Sequence, residues 1–343
     1  MVKNPMLDSW DQNLQKFHPE ANFLQSSLWY KTNEAIGHTP KIFSLTLETG
    51  REECQALCLV KSAKRGRYLE VPGGPLLDWG NDRAVEQMFD VIKTLARASK
   101  CGFVRLRPQL KNTPENRARL KSLGLKPSPM HLHAEHTVII DLGKSEDELL
   151  ANMRRQTRYE VRRADKLKLK VDSLSANQKS FKDLLEEFYQ TQQKTAARQH
   201  FIPPSKKELE AECAAFGKNA TLYVAKTDQG EPVAYGLILK WGDEADYFEA
   251  ASTDLNRKLP GAYALLWQAM KDLKAEGYAR FNLWGIAPPG QPNHRYAKVT
   301  TFKTGFGGEV VNFVPAHDLV VSRLKYLPDF FVETARRRAR RLG

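Results

Sequence analysis

The order of apolar and polar positions predicts strands and helices laid down twice along the chain. In ANFLQSSLWYKTNEAIG (21–37), Gln25-Ser26-Ser27 is read as a helix cap, with Leu28, Trp29 and Ala35 on the apolar face behind it. TPKIFSLTLETG (39–50) and ECQALCLVKSAKRGRYLEV (53–71) then read as consecutive strands, rich in β-branched and aromatic residues and broken by glycine-containing turns. VPGGPLLD (71–78) must turn tightly, because two prolines bracket two glycines. A helix through residues 84–100, the strand FVRLRP (103–108), a helix near 115–124 and the strand HTVIIDL (136–142) complete the first half.

The second half repeats this order. SEDELLANMRRQTRYEVRRADK (145–166) reads as one strongly basic helix opened by a capping box of Ser145 and Glu148, and a second helix follows over 180–196. Strands LYVAK and PVAYGLILKW flank TDQGE, DYFEAAST pairs next, and a helix over 262–277 leads to the strand ARFNLWGI (279–286). The pairs RYLEV with DYFEA, and ASKCGFVRLRP with KAEGYARFNLWGI, put one hairpin–strand–helix–strand order in both halves, which implies a duplicated α/β unit. Such a duplication predicts a ligand cleft between the units.

Composition narrows the class. The 343 residues, 41% hydrophobic and 27% charged, suffice for two soluble domains with cores of their own. The formal charge of +13 points to polyanionic partners such as RNA, phosphorylated intermediates or an anionic membrane face, although charge serving solubility alone fits as well. MVKNPMLDSWDQ lacks the apolar core of a signal peptide, and no later stretch has the length of a membrane span, so a cytoplasmic location is expected. Cys54 and Cys58 would share one face of a strand, and no CxxC pair occurs, so Cys54, Cys58, Cys101 and Cys213 read as thiols in a reducing compartment. His131 and His133 are in phase on a strand but His136 is not, and no set of acidic or cysteine ligands accompanies them, so no metal is expected.

Candidate chemistry centres on TTFKTGFGG (300–308). Phe302 offers an aromatic face and Lys303 a compact cation, while Gly305, Gly307 and Gly308 would let backbone approach a bulky partner. An ordinary turn beside a strand would look the same. The order of elements resembles the acyl-CoA-dependent N-acetyltransferase fold, whose pyrophosphate loop needs free amides at a helix start. Here that place reads LNRKLPGAYALLW (255–267): Pro260 removes one donor and Tyr263 stands where a small residue would admit phosphates. A donor with a different handle is expected, and no cofactor.

The stretches FLQSSLWYK, YLEVPGGPLL, FVRLRP, HTVIIDL with SEDELLANMRRQTRYEVRRA, TQQKTAARQHF, YFEAAST, FNLWGI and TTFKTGFGGE run in the order found in the Fem family, and the sequence resembles that family of aminoacyl-tRNA-dependent peptidyltransferases. The resemblance implies two fused acetyltransferase-like (GNAT-type) α/β units with a cleft between them. The first would comprise 1–144 plus 317–343 and hold the acceptor precursor; the second, 145–316, would hold the aminoacyl-tRNA. No heptad pair lies between Phe201 and Tyr223, so the coiled-coil arm of some members is not expected. The resemblance assigns Lys303 as the catalytic cation at the ester carbonyl, Phe302 as its partner on the terminal adenosine, and Arg198 as a ligand of acceptor phosphate or carboxylate. A helix C-terminal arginine facing the dipole is the alternative for Arg198. Arg154 and Arg158 on the basic helix could track RNA, or simply form a solvated face. Two positions depart from the family pattern: Gly73 replaces the usual arginine of the prolyl turn, and Asn33 occupies the place of the phosphate-binding lysine, with Lys31 two residues earlier.

The resulting expectation is transfer of an amino acid from aminoacyl-tRNA to the side-chain amine of a UDP-linked or lipid-linked peptidoglycan precursor, without metal or nucleotide cofactor. The basic run at 336–341 could add peripheral contact with an anionic inner membrane face. Transfer to a different acceptor, noncatalytic RNA or membrane binding, and acyl-CoA-dependent acylation are the alternatives. Asp318, Glu249 and Asp246 are conceivable bases, none of them demanded by an already activated ester.

Overall fold

The computed structural model describes residues 5–46, 53–199, 202–294 and 296–339. In chain order its elements are α1 (Pro5–Phe17), α2 (Ser27–Ala35), β1 (Thr39–Thr46), β2 (Glu53–Ala63), β3 (Gly66–Gly73), α3 (Asp82–Ala98), β4 (Phe103–Pro108), α4 (Pro114–Ser122) and β5 (Lys126–Pro127). They continue with β6 (His136–Asp141), α5 (Glu146–Asn152), α6 (Arg155–Lys166), β7 (Lys170–Ser175), α7 (Phe181–Gln199), α8 (Lys206–Phe216), β8 (Ala220–Lys226), β9 (Pro232–Trp241) and β10 (Glu244–Ser252). The last are α9 (Gly261–Ala275), β11 (Arg280–Asn282), α10 (Ala297–Thr304), β12 (Glu309–Asn312), β13 (His317–Val320) and α11 (Arg323–Ala339). The chain divides into two compact units, residues 1–135 with 312–343, and residues 136–311.

The first unit is built on a six-stranded sheet of order β1-β2-β3-β4-β13-β5. Its only parallel pair among the described strands is β3 with β4, joined through α3; β13 inserts antiparallel between β4 and β5. Strand alternation separates two faces. Cys54, Ala56, Cys58, Leu69, Val71, Val104 and Leu106 point one way, into the core formed with Val85, Met88, Phe89 and Ile92 of α3. Each large apolar side chain fully buried there stabilises by roughly 1.5–3 kcal/mol. The two thiols Cys54 and Cys58 sit in this core, and burial pushes that of Cys58 far up. The opposite face carries Gln55, Glu70, Arg105 and Arg107, all buried as well. Ser26 caps α2, its hydroxyl accepting from Trp29 N at 3.1 Å, and Gln25 beside it clips β2 to β3 by accepting from Leu57 N (2.7 Å) and donating to Pro72 O (2.5 Å).

The second unit holds a seven-stranded sheet of order β12-β6-β11-β10-β9-β8-β7. Its parallel pair is β10 with β11, joined through α9, so RYLEV in β3 and DYFEA in β10 play the same topological part. The strand HTVIIDL, expected at the end of the first unit, instead pairs antiparallel with β11 and belongs to this sheet. Leu265, Leu266, Ala269, Met270 and Leu273 of α9 cover one sheet face with Tyr223, Ala234, Ile238 and Tyr247. Phe188, Gln192 and Thr195 of α7 meet Tyr235, Glu249 and Ser252 on the other.

The single basic helix expected over 145–166 is two. Met153 and Arg154 take extended backbone angles between α5 and α6. Three interactions hold the break: Met153 is buried, Arg154 N donates to Gly305 O at 2.8 Å, and the Arg158 guanidinium donates to the otherwise orphaned carbonyls of Ala151 (2.8 Å) and Met153. Between Ile202 and Ala220 the described chain forms only α8 and one short turn of 3₁₀ helix.

Candidate active site

In the second unit β10 and β11 part company. Glu244, Ala245 and Asp246 pair with Arg280, Phe281 and Asn282, and there the parallel pairing ends although β10 runs on to Ser252. The chain after β11 stays with β6 instead: Leu283 N donates to Val138 O at 2.8 Å and Ile286 N to His136 O at 2.9 Å. Trp284, between them, adopts φ 60°, a left-handed conformation costly for a bulky residue. Asn282 Oδ1 fixes this turn by accepting from Trp284 N at 2.9 Å and from the Thr137 hydroxyl. The predicted strand ARFNLWGI is therefore three residues of strand followed by a strained turn.

β10 carries a bulge at the same level. Tyr247 lies opposite Ile238 while Glu249 lies opposite Leu237, so Phe248 is the extra residue. Adjacent residues of β9 face opposite ways, so the bulge leaves Tyr247 on the α9 side and turns Glu249 to the α7 side. There Gln192 Nε2 donates to Glu249 Oε2 at 2.6 Å. Gly236 makes room on the first face: a Cβ there would fall 2.6 Å from Tyr247 Cε2. Phe248 meets Trp284 edge-on at 5.6 Å.

Lys303 enters this gap from α10, a helix where the sequence suggested a turn. It is 9% exposed, its Nζ donates to Gly285 O at 2.9 Å, and the ammonium lies 5.7 Å from the centre of the Tyr247 ring. Burial brings its pKa down to about 7, an effect the Glu249 charge opposes. Burial likewise lifts Glu249 to about 7, against the pull of the Gln192 hydrogen bond and of Lys303. A buried amine and a buried carboxyl, each pushed towards its neutral form by burial, are suited to moving a proton or steadying a developing oxyanion.

The start of α9, where an acyl-CoA enzyme would cradle pyrophosphate, is occupied by the chain itself. Gly261 N donates to Leu259 O at 2.9 Å and Ala262 N to Asn256 Oδ1 at 3.0 Å, and Pro260 has no N–H. Tyr263 packs against Phe302 (5.0 Å, edge-on) and Phe306 (5.8 Å, stacked). Phe302 is half-buried in that aromatic cluster, one residue from Lys303. The glycines after α10 admit protein rather than a ligand: a Cβ on Gly307 would stand 3.0 Å from Asn152 O, and one on Gly308 2.6 Å from Ile139 O.

The remaining sequence-predicted residues fall into two groups. Arg154 is exposed on the α10 side, its guanidinium donating to Thr301 O, whereas Arg158 is committed to the end of α5. Arg198, at the end of α7, donates to Ser252 O (2.9 Å) and pairs with Asp254 (3.1 Å), so it holds the end of β10 rather than its own helix carbonyls. In the first unit Lys31 is exposed on α2, but Asn33 is buried and its amide donates to Trp29 O at 2.9 Å, so it offers nothing to a ligand in this arrangement. Asp318 is fully buried and bound by Arg105, a structural role. Asp246 is buried too, its carboxyl held well above the usual range by burial and by Glu244. His131 pairs with Glu135 (2.9 Å), His133 faces Glu70 (3.6 Å) and His136 belongs to the other unit. No group of three or more acidic, histidine or cysteine side chains able to hold a metal occurs among the described residues. Among them too, no helix is long and apolar enough to cross a membrane. Of the basic run at 336–341, Arg340 and Arg341 lie outside the described residues.

The sequence profile of the FemAB family matches residues 11–231 and 226–332, together most of the chain. The chain belongs to the FemAB family. The lipid II:glycine glycyltransferase of Staphylococcus aureus is 25% identical over 256 residues, spanning 68% of this chain and 59% of that protein. The chain thus covers about three-fifths of the curated relatives it matches. The crystal structure of FemX superposes with a TM-score of 0.82 at 16% identity, covering 96% of this chain and 99% of that one. A tandem GNAT protein from clavulanic acid biosynthesis gives a TM-score of 0.52 at 10% identity over 82% and 84% of the two chains. The fold of this FemAB-family chain is accordingly a mixed α/β pair of acetyltransferase-like units.

Sequence reading named Lys303 and Phe302 and weighed Glu249, but it missed Gln192, the Gly285 carbonyl and the Trp284 turn. A backbone acceptor has no residue signature. The parity shift that turns Glu249 away from Tyr247 is legible only once the bulge is seen.

Proposed function

We propose that this FemAB-family protein transfers an amino acid from aminoacyl-tRNA to the amine of a peptidoglycan stem peptide. The observation that carries the reading is the ammonium of Lys303, buried where β10 and β11 diverge, in a unit whose α9 amides are already taken. An acyl donor held by something other than a pyrophosphate at α9 fits that arrangement, and one relative is named as a lipid II:glycine glycyltransferase.

In this reading the acceptor amine attacks the ester carbonyl of the charged tRNA. A bond forms from nitrogen to carbonyl carbon, negative charge builds on the carbonyl oxygen, and the tRNA hydroxyl leaves as the amide is completed. Lys303 steadies the oxygen, in a setting dry enough to make one ammonium effective. Glu249 accepts the proton lost by the amine and returns it to the departing ribose oxygen, and Gln192 holds its carboxylate in place. Phe302 supports the terminal adenosine, Arg154 approaches the RNA backbone, and Lys31, exposed on α2, serves the acceptor's anionic groups.

The test is to incubate the protein with individually charged tRNAs and either a UDP-linked or a lipid-linked precursor. Mass spectrometry of the product should show one added aminoacyl residue. Salt-sensitive tRNA binding without product from any acceptor would overturn transfer in favour of a binding role.

A further inference from the structure

Two arginines stand two residues apart on β4, on the same buried face of the first sheet, and the fold treats them differently. Arg105 is fully paired: its Nε and Nη2 donate to Asp318 at 2.8 and 2.9 Å, and its Nη2 also donates to Glu333 at 2.7 Å. Arg107 is only 1% exposed, yet its Nε and Nη1 find no acceptor in the protein. One neighbour is the Phe313 ring, 5.3 Å from the guanidinium carbon. The carboxylate that acts on it, Glu135, is used elsewhere: Oε1 accepts from Ala316 N at 2.9 Å and Oε2 pairs with His131 at 2.9 Å. Burial draws Arg107 down to about 10.

The surroundings suit an incoming oxygen ligand. Arg107 lies opposite Pro72 in the parallel pairing of β3 with β4, at the carboxyl ends of those strands, where open α/β sheets commonly take their ligands. His133, whose protonation is disfavoured first by burial and also by the Arg107 charge, turns its Nε2 towards the Glu70 carboxylate at 3.6 Å, just beyond hydrogen-bond distance. Gln55, on the same face, is fully buried with neither amide atom paired. A guanidinium offers a planar fork matched to a carboxylate or phosphate.

We propose that Arg107, with His133 beside it, forms an oxyanion subsite in the first unit that binds a carboxylate or phosphate group of a ligand. The subsite stands on its own geometry, and its test involves neither tRNA nor transfer. Its failure would therefore leave the proposed reaction untouched, and the converse holds.

The full chain is titrated with inorganic phosphate, with an N-acetyl dipeptide bearing a free carboxylate, with the same dipeptide amidated, and with chloride at equal ionic strength. Thermal unfolding and the ¹⁵N signal of the arginine Nε–H groups are followed. Phosphate or the free acid should raise the unfolding temperature and move the Arg107 Nε–H signal, while the amide and chloride should not. A response to the free acid alone identifies a carboxylate site; a response to phosphate alone identifies a phosphate site. Arg107→Met should weaken the responding ligand by about tenfold or more, and unfold no earlier than wild type in plain buffer because it removes an unpaired buried charge. Arg107→Lys, which keeps the charge without the fork, serves if the methionine variant does not fold and should also bind more weakly. A crystal soaked in the responding anion that shows water alone on Nε and Nη1 would overturn the proposal. So would equal responses of wild type and both variants.

Discussion

Lys303 is held against its own solvation. Below about pH 7 the folded protein carries a buried ammonium, while the unfolded chain keeps that proton up to the ordinary lysine value of 10.5. Between those limits the unfolded state binds more protons, so this group's cost is full below pH 7 and fades as pH rises towards 10.5. Lys303→Met should therefore unfold at a higher temperature than wild type at pH 7, with the gap closing in alkaline buffer. Its single-turnover transfer should fall by about 10²–10³-fold. Unaltered turnover would remove the ammonium from the chemistry. Glu249→Gln deletes the charge that holds Lys303 up, so the alkaline limb of the pH–rate profile should move below pH 7. A limb that stays in place would uncouple the two groups. At this scale the sequence was half legible: the residue types at 302 and 303 speak for themselves, but their burial, and the carbonyl of Gly285 that receives Nζ, come only from the way the chain folds back.

The divergence of β10 and β11 is a property of elements. A strand with a bulge, a neighbour three residues long and a left-handed Trp284 together expose the edge into which α10 delivers its lysine. Packing behind that edge is tight at Gly236, where any Cβ would press on Tyr247 and Leu265. Gly236→Ala should cost about 1–3 kcal/mol in urea unfolding and depress transfer, because the Tyr247 ring must leave its place over Lys303. Wild-type stability in this variant would show that the sheet yields without disturbing the ring. Strand and helix positions were largely readable from periodicity, since β2, β3, α3, β9 and α9 follow simple repeats. Whole elements escaped it, α1, β7, α8, β12 and β13 among them, and so did three local features. The α5–α6 break has no proline or glycine and rests on distant Gly305 and Thr301; α10 has only a weak apolar stripe; and β11 ends where Asn282 turns to serve the backbone beyond it.

Across the whole molecule the two halves share one plan, and the low residue identity between them did not hide it because topology depends on periodicity more than on particular side chains. The boundary was harder to read: β6 looks like a closing strand but pairs onward, with β11. In the first unit the buried polar cluster of Arg105, Asp318, Glu333 and Tyr326 ties β4, β13 and α11 together. Asp318→Ala, which strands the arginine, should destabilise that unit by about 3–5 kcal/mol, measured as an early transition in denaturant. One unchanged cooperative transition would mean the pairing is dispensable. The placement of β13 in the middle of the first sheet bears on how the protein is made. Residues 136–311 are contiguous and can fold once they leave the ribosome, but the earlier-synthesised strands must wait, with a gap between β4 and β5, until residues 317–320 emerge behind them. The half of the protein translated first is thus the half completed last.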